Sequence, residues 1–369
     1  MSRYRIAVIA GDGIGQEVVP AAISVLDAVA GTHGITFEWD ELDWGSDTYL
    51  RTGSMLPDDG LQRIANHDAI FLGAVGRPDI PDHVSLWGLL IPIRRTFRQY
   101  VNLRPVRLFP GVRSPLADRT PEDIDFLIVR ENNEGEYSQI GGRLYAGTDE
   151  ELVQQTSVFT RRGTDRVLRY AFDLAQRRPE RHLTSATKSN GIIHSMPFWD
   201  ERVRAVAAEY PEVRVDQFHI DILTAHFVQH PDWFDVVVGS NLFGDILSDL
   251  GPAIAGSIGI APSGNLNPEG EYPSMFEPVH GSAPDIAGKG IANPIAQIWS
   301  GAMMLDQLGH PDASRTIVDA FARALDDGRV LTRDLGGQAS TTEMTDAIIG
   351  ALGGASGRSQ EPFTASNAT

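Results

Sequence analysis

Apolar residues in this chain occur either in short continuous runs or at helical spacing. Short runs of strand length, and an alternating pattern in the second of these segments, predict β-strands at residues 5–10, 35–42, 69–72, 125–129, 182–186 and 234–238. Helical spacing predicts helices at residues 16–30, 58–66, 165–177, 198–209, 294–308 and 313–326, and Gly31 is expected to end the first of them. Strands that alternate with helices predict an α/β fold, with a largely parallel sheet covered by helices on both faces.

Three stretches depart from this alternation. Residues 134–147 are rich in glycine and aromatic residues, which predicts an arm rather than a compact βα unit. Residues 251–284 are crowded with glycine and proline, which predicts a loop-rich ligand surface rather than regular structure. The polar tail after Gly353 is predicted to be disordered. Neither an internal repeat nor a long linker is present, so the domains are expected to be interwoven.

The helical pattern places two carboxylates together. Asp245 and Asp249 are four residues apart in a run whose apolar members, Ile246, Leu247 and Leu250, recur at helical spacing. At a rise of about 1.5 Å per residue, their backbones lie about 6 Å apart on one helix face, so one cation can contact both side chains. Two acids on one helix face are more often a solvated surface. Here, however, they follow a predicted strand end, where α/β proteins commonly bind ligands.

Composition narrows the classes of partner. The 369 residues are 42% apolar, which predicts about two globular domains. The 31 basic and 49 acidic residues give a net charge of −18, which argues against nucleic acid or an anionic membrane as a partner. The absence of cysteine excludes disulfides, thiolate catalysis and cysteine-ligated zinc. Neither a signal peptide nor a stretch of about 20 apolar residues is present, so a cytoplasmic location is expected.

A basic island interrupts this acidic chain at residues 83–117. These 35 residues contain no aspartate or glutamate, where about five are expected from the whole-chain frequency. They contain the six arginines Arg94, Arg95, Arg98, Arg104, Arg107 and Arg113. Because the planar guanidinium pairs with carboxylates, two or three of them can hold a small diacid, while at least half are expected to pair with acids of the protein. Arg130, after a predicted strand, is a further candidate.

Four other features carry weaker signals. Lys188 follows a predicted strand and is a candidate for proton transfer, although a lone lysine is usually a surface residue. Tyr137 is a candidate acid, although tyrosine beside glycine is more often packing. His226 and His230 have zinc-like spacing but lack the adjacent glutamate of a zinc protease. The turn at residues 11–15 lacks the third glycine of a dinucleotide fingerprint, so a structural turn is at least as consistent.

Taken together, the motifs resemble those of the β-decarboxylating dehydrogenases, the isocitrate/isopropylmalate dehydrogenase family, from residue 5 to about residue 352. The motifs are Gly11-Asp-Gly-Ile-Gly15, Arg94 with Asn102-Leu-Arg104-Pro, Arg130-Glu-Asn with Tyr137, Thr187-Lys-Ser-Asn190, Asp221, Asn241-Leu-Phe-Gly-Asp-Ile-Leu-Ser-Asp249, His280-Gly-Ser-Ala-Pro-Asp285 and Asp334-Leu-Gly-Gly337. The phrase Asp82-His-Val-Ser-Leu-Trp-Gly-Leu-Leu90 most resembles the tartrate and D-malate branch.

The resemblance implies an isopropylmalate-dehydrogenase-like fold rather than a Rossmann fold, with two interwoven α/β domains around a central cleft. Residues 1–100 and 255–369 would form the cofactor domain. Residues 101–254 would bind substrate and metal and form the dimer, with an arm near residues 134–160. The expected assembly is a homodimer, with a dimer of dimers as an alternative, in which each site borrows Lys188 and Asp221 from the partner chain.

The resemblance also assigns roles to individual residues. NAD would contact Asn190, His280, Gly281, Ser282, Ala283, Pro284, Asp285, Ile286, Asn293 and Asp334. Asp285 would accept hydrogen bonds from the ribose and repel the 2′-phosphate of NADP. Mn²⁺ or Mg²⁺ would bind Asp221, Asp245 and Asp249, and K⁺ is a further candidate cofactor. Arg94, Arg104 and Arg130 would bind substrate carboxylates, Lys188 would accept the hydroxyl proton, and Tyr137 would protonate the product carbon.

One residue bears on the choice of substrate. Trp87 stands where the isopropylmalate enzymes carry a glutamate, and its indole would fill the space for an isopropyl group. The expected reaction is therefore the NAD- and metal-dependent oxidative decarboxylation of D-malate to pyruvate and CO₂, or the oxidation of tartrate. The alternatives are a 3-isopropylmalate dehydrogenase, a metal-dependent phosphotransferase and a nucleotide-binding module without catalysis.

Overall fold

A computed structural model describes residues 2–353 as a mixed α/β fold. Its strands are β1 (Ser2–Gly11), β2 (Ile35–Glu41), β3 (Ala69–Ala74), β4 (Val101–Arg107), β5 (Asp125–Glu131), β6 (Gly141–Leu144), β7 (Leu152–Gln155), β8 (His182–Thr187), β9 (Arg214–His219), β10 (Val236–Gly239), β11 (Pro262–Leu266) and β12 (Ser274–Pro278). Its α-helices are α1 (Gly15–His33), α2 (Ser46–Thr52), α3 (Gly60–Ile64), α4 (Asp82–Ser85), α5 (Ile91–Thr96), α6 (Arg161–Arg177), α7 (Ser195–Ala207), α8 (Ile220–Gln229), α9 (Asn241–Ile254), α10 (Ile295–Gln307), α11 (Pro311–Asp327) and α12 (Thr341–Ala351). A π-helical turn, Leu86–Leu90, joins α4 to α5.

Ten of these strands form one sheet in the order β2-β1-β3-β12-β11-β4-β5-β10-β8-β9. The outer strands on each side pair in parallel, whereas β12, β11, β4 and β5 pair antiparallel at the centre. The prediction of an α/β fold with a largely parallel sheet is thus confirmed. In each parallel half of the sheet, the carboxyl ends of the strands lie along the same edge. Side chains that follow different strands can meet at that edge.

The first helix shows where a local signal was overridden. The prediction that Gly31 ends it is wrong, because α1 continues to His33 and stops at Gly34, whose φ of 67° is left-handed. Gly31 is exposed and remains helical, which costs only about 1 kcal/mol relative to alanine. A helix of this kind ends at the residue that adopts the left-handed conformation. Glycine adopts that conformation easily but does not have to, so the presence of Gly31 does not by itself end the helix.

The prediction that residues 251–284 form loops is wrong at the centre of the sheet. Strands β11 and β12 lie within that stretch, and every residue of both strands is buried. Their polar side chains find partners across the sheet: Asn102 Nδ2 donates to Ser263 Oγ at 2.8 Å and to Asn265 Oδ1 at 3.0 Å. Buried polar side chains are tolerated when they are hydrogen-bonded. Polar residues can therefore occupy these buried strands, and the sequence does not show the apolar pattern by which a buried strand is usually recognised.

Strands β4 and β9 and helices α8 and α12 were also not identified from the sequence. Strand β4 contains Pro105, which normally argues against a central strand. Here β11 pairs only with residues 101–103, whereas β5 pairs along all of β4. Pro105 therefore has a neighbouring strand on one side only, and its missing N–H leaves no gap in the ladder with β11.

The predicted arm is a hairpin. Strands β6 and β7 pair antiparallel with each other, and all their residues are exposed. Its apolar side chains, Leu144, Tyr145, Leu152 and Val153, are 52–70% exposed. The polar tail predicted to be disordered lies outside the described residues. None of the helices in residues 2–353 is both long enough and apolar enough to cross a membrane.

Candidate active site

Helix α9 carries the two predicted metal-binding carboxylates. A single residue, Ser240, separates it from the end of β10, and Asp245 and Asp249 lie one turn apart on it, which confirms the predicted strand, turn and helix. The side chain of Asp245 is 33% exposed and that of Asp249 is 64% exposed. Both are therefore accessible from the edge of the sheet at which β10 ends.

Arg130, at the end of β5, runs beneath this helix. Its Nε and Nη2 donate to Asn241 Oδ1 at 3.1 and 2.8 Å, and its Nη1 contacts Asp245 Oδ1. Gly244 makes the passage possible, since a Cβ at that position would lie 2.5 Å from the Cβ of Arg130. A buried guanidinium is thus fixed against a carboxylate that is one-third exposed.

The two other predicted substrate arginines approach from neighbouring elements. Arg104, on β4, donates to Ser248 Oγ at 2.7 Å and contacts Asp249 Oδ1 at 3.4 Å. Arg94, on α5, donates to the buried Glu277 Oε1 at 2.8 Å. Glu277 was not identified from the sequence, because it lies in β12 within the stretch predicted as loops.

Tyr137 is held directly against α9. Its hydroxyl donates to Asp245 Oδ2 at 2.6 Å. Beside it, the carboxylate of Glu136 accepts from Ser240 Oγ at 2.8 Å and from the backbone N–H of Leu242 at 3.0 Å, which caps the first turn of α9. Sequence reasoning missed Glu136, because which acid caps which helix depends on the fold. It quoted Asn241 only as the start of a motif and did not predict its contact with Arg130.

The charges of this cluster alter the protonation of its members. Burial alone would raise the pKa of Asp245, but the Arg130 cation and the Tyr137 hydroxyl outweigh it and hold that pKa below its usual range. Burial lowers the pKa of Arg130 to about 10. Burial, with the hydrogen bond to Asp245, raises the pKa of Tyr137 to about 12. At neutral pH Arg130 is therefore a cation, Asp245 an anion and Tyr137 a neutral proton donor.

The turn that leads from β5 to Tyr137 is built on Glu131. This side chain is buried, and its Oε2 accepts from the backbone N–H groups of Asn133 at 3.1 Å and Glu134 at 2.7 Å. Burial raises its pKa from the usual 4.5 to about 7, against the lowering effect of these two hydrogen bonds. The ionised form is thus destabilised in the folded protein.

We expect Glu131→Gln to weaken the pH dependence of stability. Because the pKa of Glu131 is higher in the folded chain, the contribution of Glu131 to native stability is greatest below about pH 4.5 and is lost as the pH rises through about 7. Glutamine keeps one oxygen for both N–H groups and does not ionise. Relative to the native protein, the variant should gain up to about 3 kcal/mol between pH 5 and pH 8. Urea unfolding at both pH values measures this, and parallel pH profiles would contradict it.

Lys188 and Asp221 lie together but apart from this cluster. Lys188 follows β8, Asp221 lies in the first turn of α8, and Lys188 Nζ donates to Asp221 Oδ1 at 2.8 Å. Within residues 2–353 of one chain, no three histidine, aspartate or glutamate side chains are placed to hold a metal ion. One chain therefore brings Asp245 and Asp249 together without Asp221.

The predicted cofactor loop at residues 280–286 lies next to the glycine turn. The loop after β12 packs on that turn, where Ile14 N donates to Ser282 O at 2.9 Å and a Cβ at Gly13 would lie 2.0 Å from the same oxygen. Asn293 Nδ2 donates to Asp334 Oδ2 at 2.9 Å. Asp285 is exposed on this loop, as is Asn190 in the turn after Lys188.

Within this loop, His280 Nε2 is buried and finds no hydrogen-bond partner among the described residues. Burial lowers the pKa of His280, so the ring is neutral at pH 7. An unsatisfied buried nitrogen is costly unless a ligand or water contacts it. The loop therefore fits the binding of a polar cofactor.

The remaining members of the basic island divide between the site and other parts of the protein. Arg98 pairs with Glu271 at 2.9 Å, and Arg107 lies 3.8 Å from Asp125. Arg95 faces Trp87, with its guanidinium carbon 5.1 Å from the centre of the indole. The zinc interpretation of the paired histidines finds no support, because the ring of His230 stacks on Trp233 at 3.9 Å.

Comparison with known proteins identifies the family. The family model described as isocitrate/isopropylmalate dehydrogenase matches residues 5–348. The chain is 60% identical over 355 residues to a D-malate dehydrogenase [decarboxylating] of Escherichia coli (strain K12), covering 94% of this chain and 98% of that one. It is 59% identical over 357 residues to a tartrate dehydrogenase/decarboxylase of Pseudomonas putida, covering 95% and 98%.

A solved structure agrees. The crystal structure of isocitrate dehydrogenase from Methylococcus capsulatus superposes with a TM-score of 0.85 at 36% identity, covering 95% of this chain and 99% of that one. This family is NAD- and divalent-metal-dependent. The chain therefore belongs to the isocitrate/isopropylmalate dehydrogenase family and is an enzyme of the decarboxylating dehydrogenase type.

Proposed function

We propose that this enzyme oxidises a small 2-hydroxy diacid with NAD and a divalent metal ion, converting D-malate to pyruvate and CO₂, oxidising tartrate, or both. The observation that carries the proposal is the contact of Asp245 with both Arg130 and Tyr137. This contact places three groups side by side: Arg130, a cation that can bind a substrate carboxylate; Asp245, a carboxylate that can bind a metal ion; and Tyr137, a neutral proton donor. The names of the relatives at 60% and 59% identity favour these substrates.

The metal site fits a hard divalent cation. Asp245 and Asp249 offer only carboxylate oxygens, which suit Mn²⁺ or Mg²⁺ better than zinc. Two carboxylates leave such an ion short of ligands, so we assign Asp221 of a second chain to the same site. A monovalent cation such as K⁺ is a further candidate cofactor of the assembled enzyme.

A homodimer supplies the missing groups, with a dimer of dimers as a further possibility. Lys188 and Asp221 are partly exposed, with side-chain exposures of 29% and 68%. Exposed apolar residues lie close to both of them in the sequence. These residues, Ile192, Ile193 and Ile222, are 42–68% exposed. An exposed apolar surface of this kind is typical of an interface. A twofold dimer that covers these residues and the arm would bring Lys188 and Asp221 to the partner's α9.

The chain's own residues perform the binding and the proton transfers. Arg94, Arg104 and Arg130 hold the two carboxylates of the diacid and orient it. The metal and NAD supply Lewis-acid and hydride-acceptor chemistry when they are bound. Lys188 takes the proton of the C2 hydroxyl. After CO₂ leaves, Tyr137 delivers a proton to the product carbon, and its pKa of about 12 keeps it protonated until then.

The strand order supports the assignment of cofactor binding to one half of the sheet and of substrate and metal binding to the other half. Strands from residues 1–100 and 255–369 occupy one half of the sheet, and strands from residues 101–254 occupy the other, with the junction between β11 and β4. We assign the first half to NAD, along the loop at residues 280–286 and through Asn293 and Asp334. Asp285 favours NAD because its negative charge repels a 2′-phosphate. The second half holds substrate and metal.

Substrate selection rests on Trp87. Its indole fills the space that an isopropyl group at C3 would need, so hydrogen or hydroxyl is accepted there. The alternative is a 3-isopropylmalate dehydrogenase with an unusual pocket. The phosphotransferase and the non-catalytic module have no support, because the matching family model and both relatives are dehydrogenases.

NADH formation at 340 nm tests this proposal. With Mn²⁺ and NAD, we expect turnover of D-malate or a tartrate with a kcat/KM at least about 10-fold above that for 3-isopropylmalate, as one misplaced apolar group allows. NADP should be used poorly, and EDTA should abolish the reaction. Equal or better turnover of 3-isopropylmalate would favour the alternative substrate and remove the role given to Trp87.

A further inference from the structure

Arg95 connects two parts of the candidate site that are distant in sequence. Its guanidinium lies over the indole of Trp87, with 5.1 Å from its carbon to the ring centre. Its Nη2 donates to the backbone carbonyl of Tyr137 at 2.9 Å, and its Nη1 reaches Gln139 Oε1 at 3.4 Å. One side chain therefore contacts both the residue assigned to substrate selection and the backbone of the residue assigned to proton transfer.

The π-helical turn explains how Trp87 and Arg95 meet. In a regular α-helix, residues seven apart are rotated by only about 20° about the helix axis, whereas residues eight apart are rotated by about 80°. A π turn closes hydrogen bonds from residue i to residue i+5 and so accommodates one more residue. Because Leu86–Leu90 is such a turn, Trp87 and Arg95 lie on one face although they are eight apart. Arg94 then points elsewhere, to Glu277.

Both ends of this connection are fixed independently. Behind Trp87, Gly88 packs so closely on Met55 that a Cβ would lie 2.8 Å from its Cγ, and Met55 is buried. At the other end, Tyr137 donates its hydroxyl to Asp245. Arg95 therefore links a packed helix to the metal-binding helix through the Tyr137 backbone.

We propose that Arg95 is a positioning residue that sets the orientation of the Trp87 indole relative to Tyr137 and thereby enforces discrimination against larger substituents at C3 of the substrate. This rests on the proposed function, because it assumes that Trp87 borders the substrate. Arginine suits the task because its planar guanidinium can stack on an indole while its edge donates hydrogen bonds. Lysine can supply one donor but cannot stack in this way.

Two substitutions of Arg95 should affect substrate discrimination and the turnover of D-malate to different extents. We expect Arg95→Met to lower the ratio of kcat/KM for D-malate to that for 3-isopropylmalate by about 10-fold, equivalent to about 1.4 kcal/mol. The value of kcat for D-malate should also fall, because the Tyr137 backbone loses a donor. Arg95→Lys should restore kcat more fully than it restores the ratio.

Arg98→Met is the matched control. It removes an arginine from the same segment that also faces an aromatic ring, since the Arg98 guanidinium lies 5.6 Å from the ring centre of Tyr272. It should leave the substrate ratio unchanged. If Arg98→Met lowers the ratio as much as Arg95→Met does, or if Arg95→Met leaves it at the native value, the positioning role is wrong.

A double-mutant cycle with Trp87→Ala distinguishes failure of this inference from failure of the proposed function. If Arg95 acts through Trp87, Arg95→Met should not change the ratio further in the Trp87→Ala background. Additive effects would overturn the inference while leaving the proposed function intact. Absence of turnover of D-malate and both tartrates by the native enzyme would overturn the proposed function, and coupling of the two substitutions in urea unfolding would then decide whether Arg95 and Trp87 interact.

Discussion

Replacing Asp245 with asparagine should weaken metal binding and catalysis together. The substitution removes a carboxylate that we assign to the metal, and it also removes the anion that pairs with the buried Arg130. We expect kcat/KM to fall by at least about 1000-fold, equivalent to about 4 kcal/mol, and the affinity for Mn²⁺ to fall at least about 10-fold. Steady-state kinetics and titration with Mn²⁺ measure the two effects separately.

Asp165→Asn is the matched control for this variant. Asp165, on α6, forms a buried pair with Arg202, on α7, at 2.6 and 3.1 Å. Both substitutions remove the anion paired with a buried arginine, so both variants are expected to lose stability. Asp165→Asn should therefore lower the melting temperature while metal dependence is retained. Unchanged metal affinity in Asp245→Asn would remove the proposed metal site.

Two inactive variants should restore activity when they share a dimer. Lys188→Ala removes the proposed proton acceptor at a partly exposed position, so folding should be little affected. If each site takes Lys188 from one chain and Asp245 from the other, a heterodimer of Lys188→Ala with Asp245→Asn contains one intact site and one doubly altered site. Random pairing of equal amounts should then recover about a quarter of native activity.

Co-expression of the two variants with different tags, followed by activity assays of the mixture and of each homodimer, tests this expectation. A mixture of Asp245→Asn with Asp249→Asn is the control, because both residues belong to the same α9 and every site then carries one altered carboxylate. That mixture should remain inactive. If Lys188→Ala with Asp245→Asn also stays inactive although heterodimers form, the site is not shared in the proposed way.

The parts of the site that could be predicted from the sequence are those set by local geometry or by motif. The helical repeat alone places Asp245 and Asp249 on one face of α9, and the glycine and strand pattern alone places that helix after β10. The arginine island was visible as composition. The residues that support the site, such as Glu136 and Glu277, were not visible, since nothing local distinguishes them from other acids.

The sequence by itself determined the α/β class, the helix with its paired carboxylates and the family, because each depends on neighbours in the chain or on motifs that can be read directly. Only the tertiary structure decided that Tyr137 meets Asp245, that Arg130 passes beneath Gly244 and that β11 and β12 complete the sheet. The reason is physical. Contacts between residues four apart follow from the helix repeat, whereas contacts between residues 108 apart, as in Tyr137 and Asp245, depend on which strand ends lie side by side.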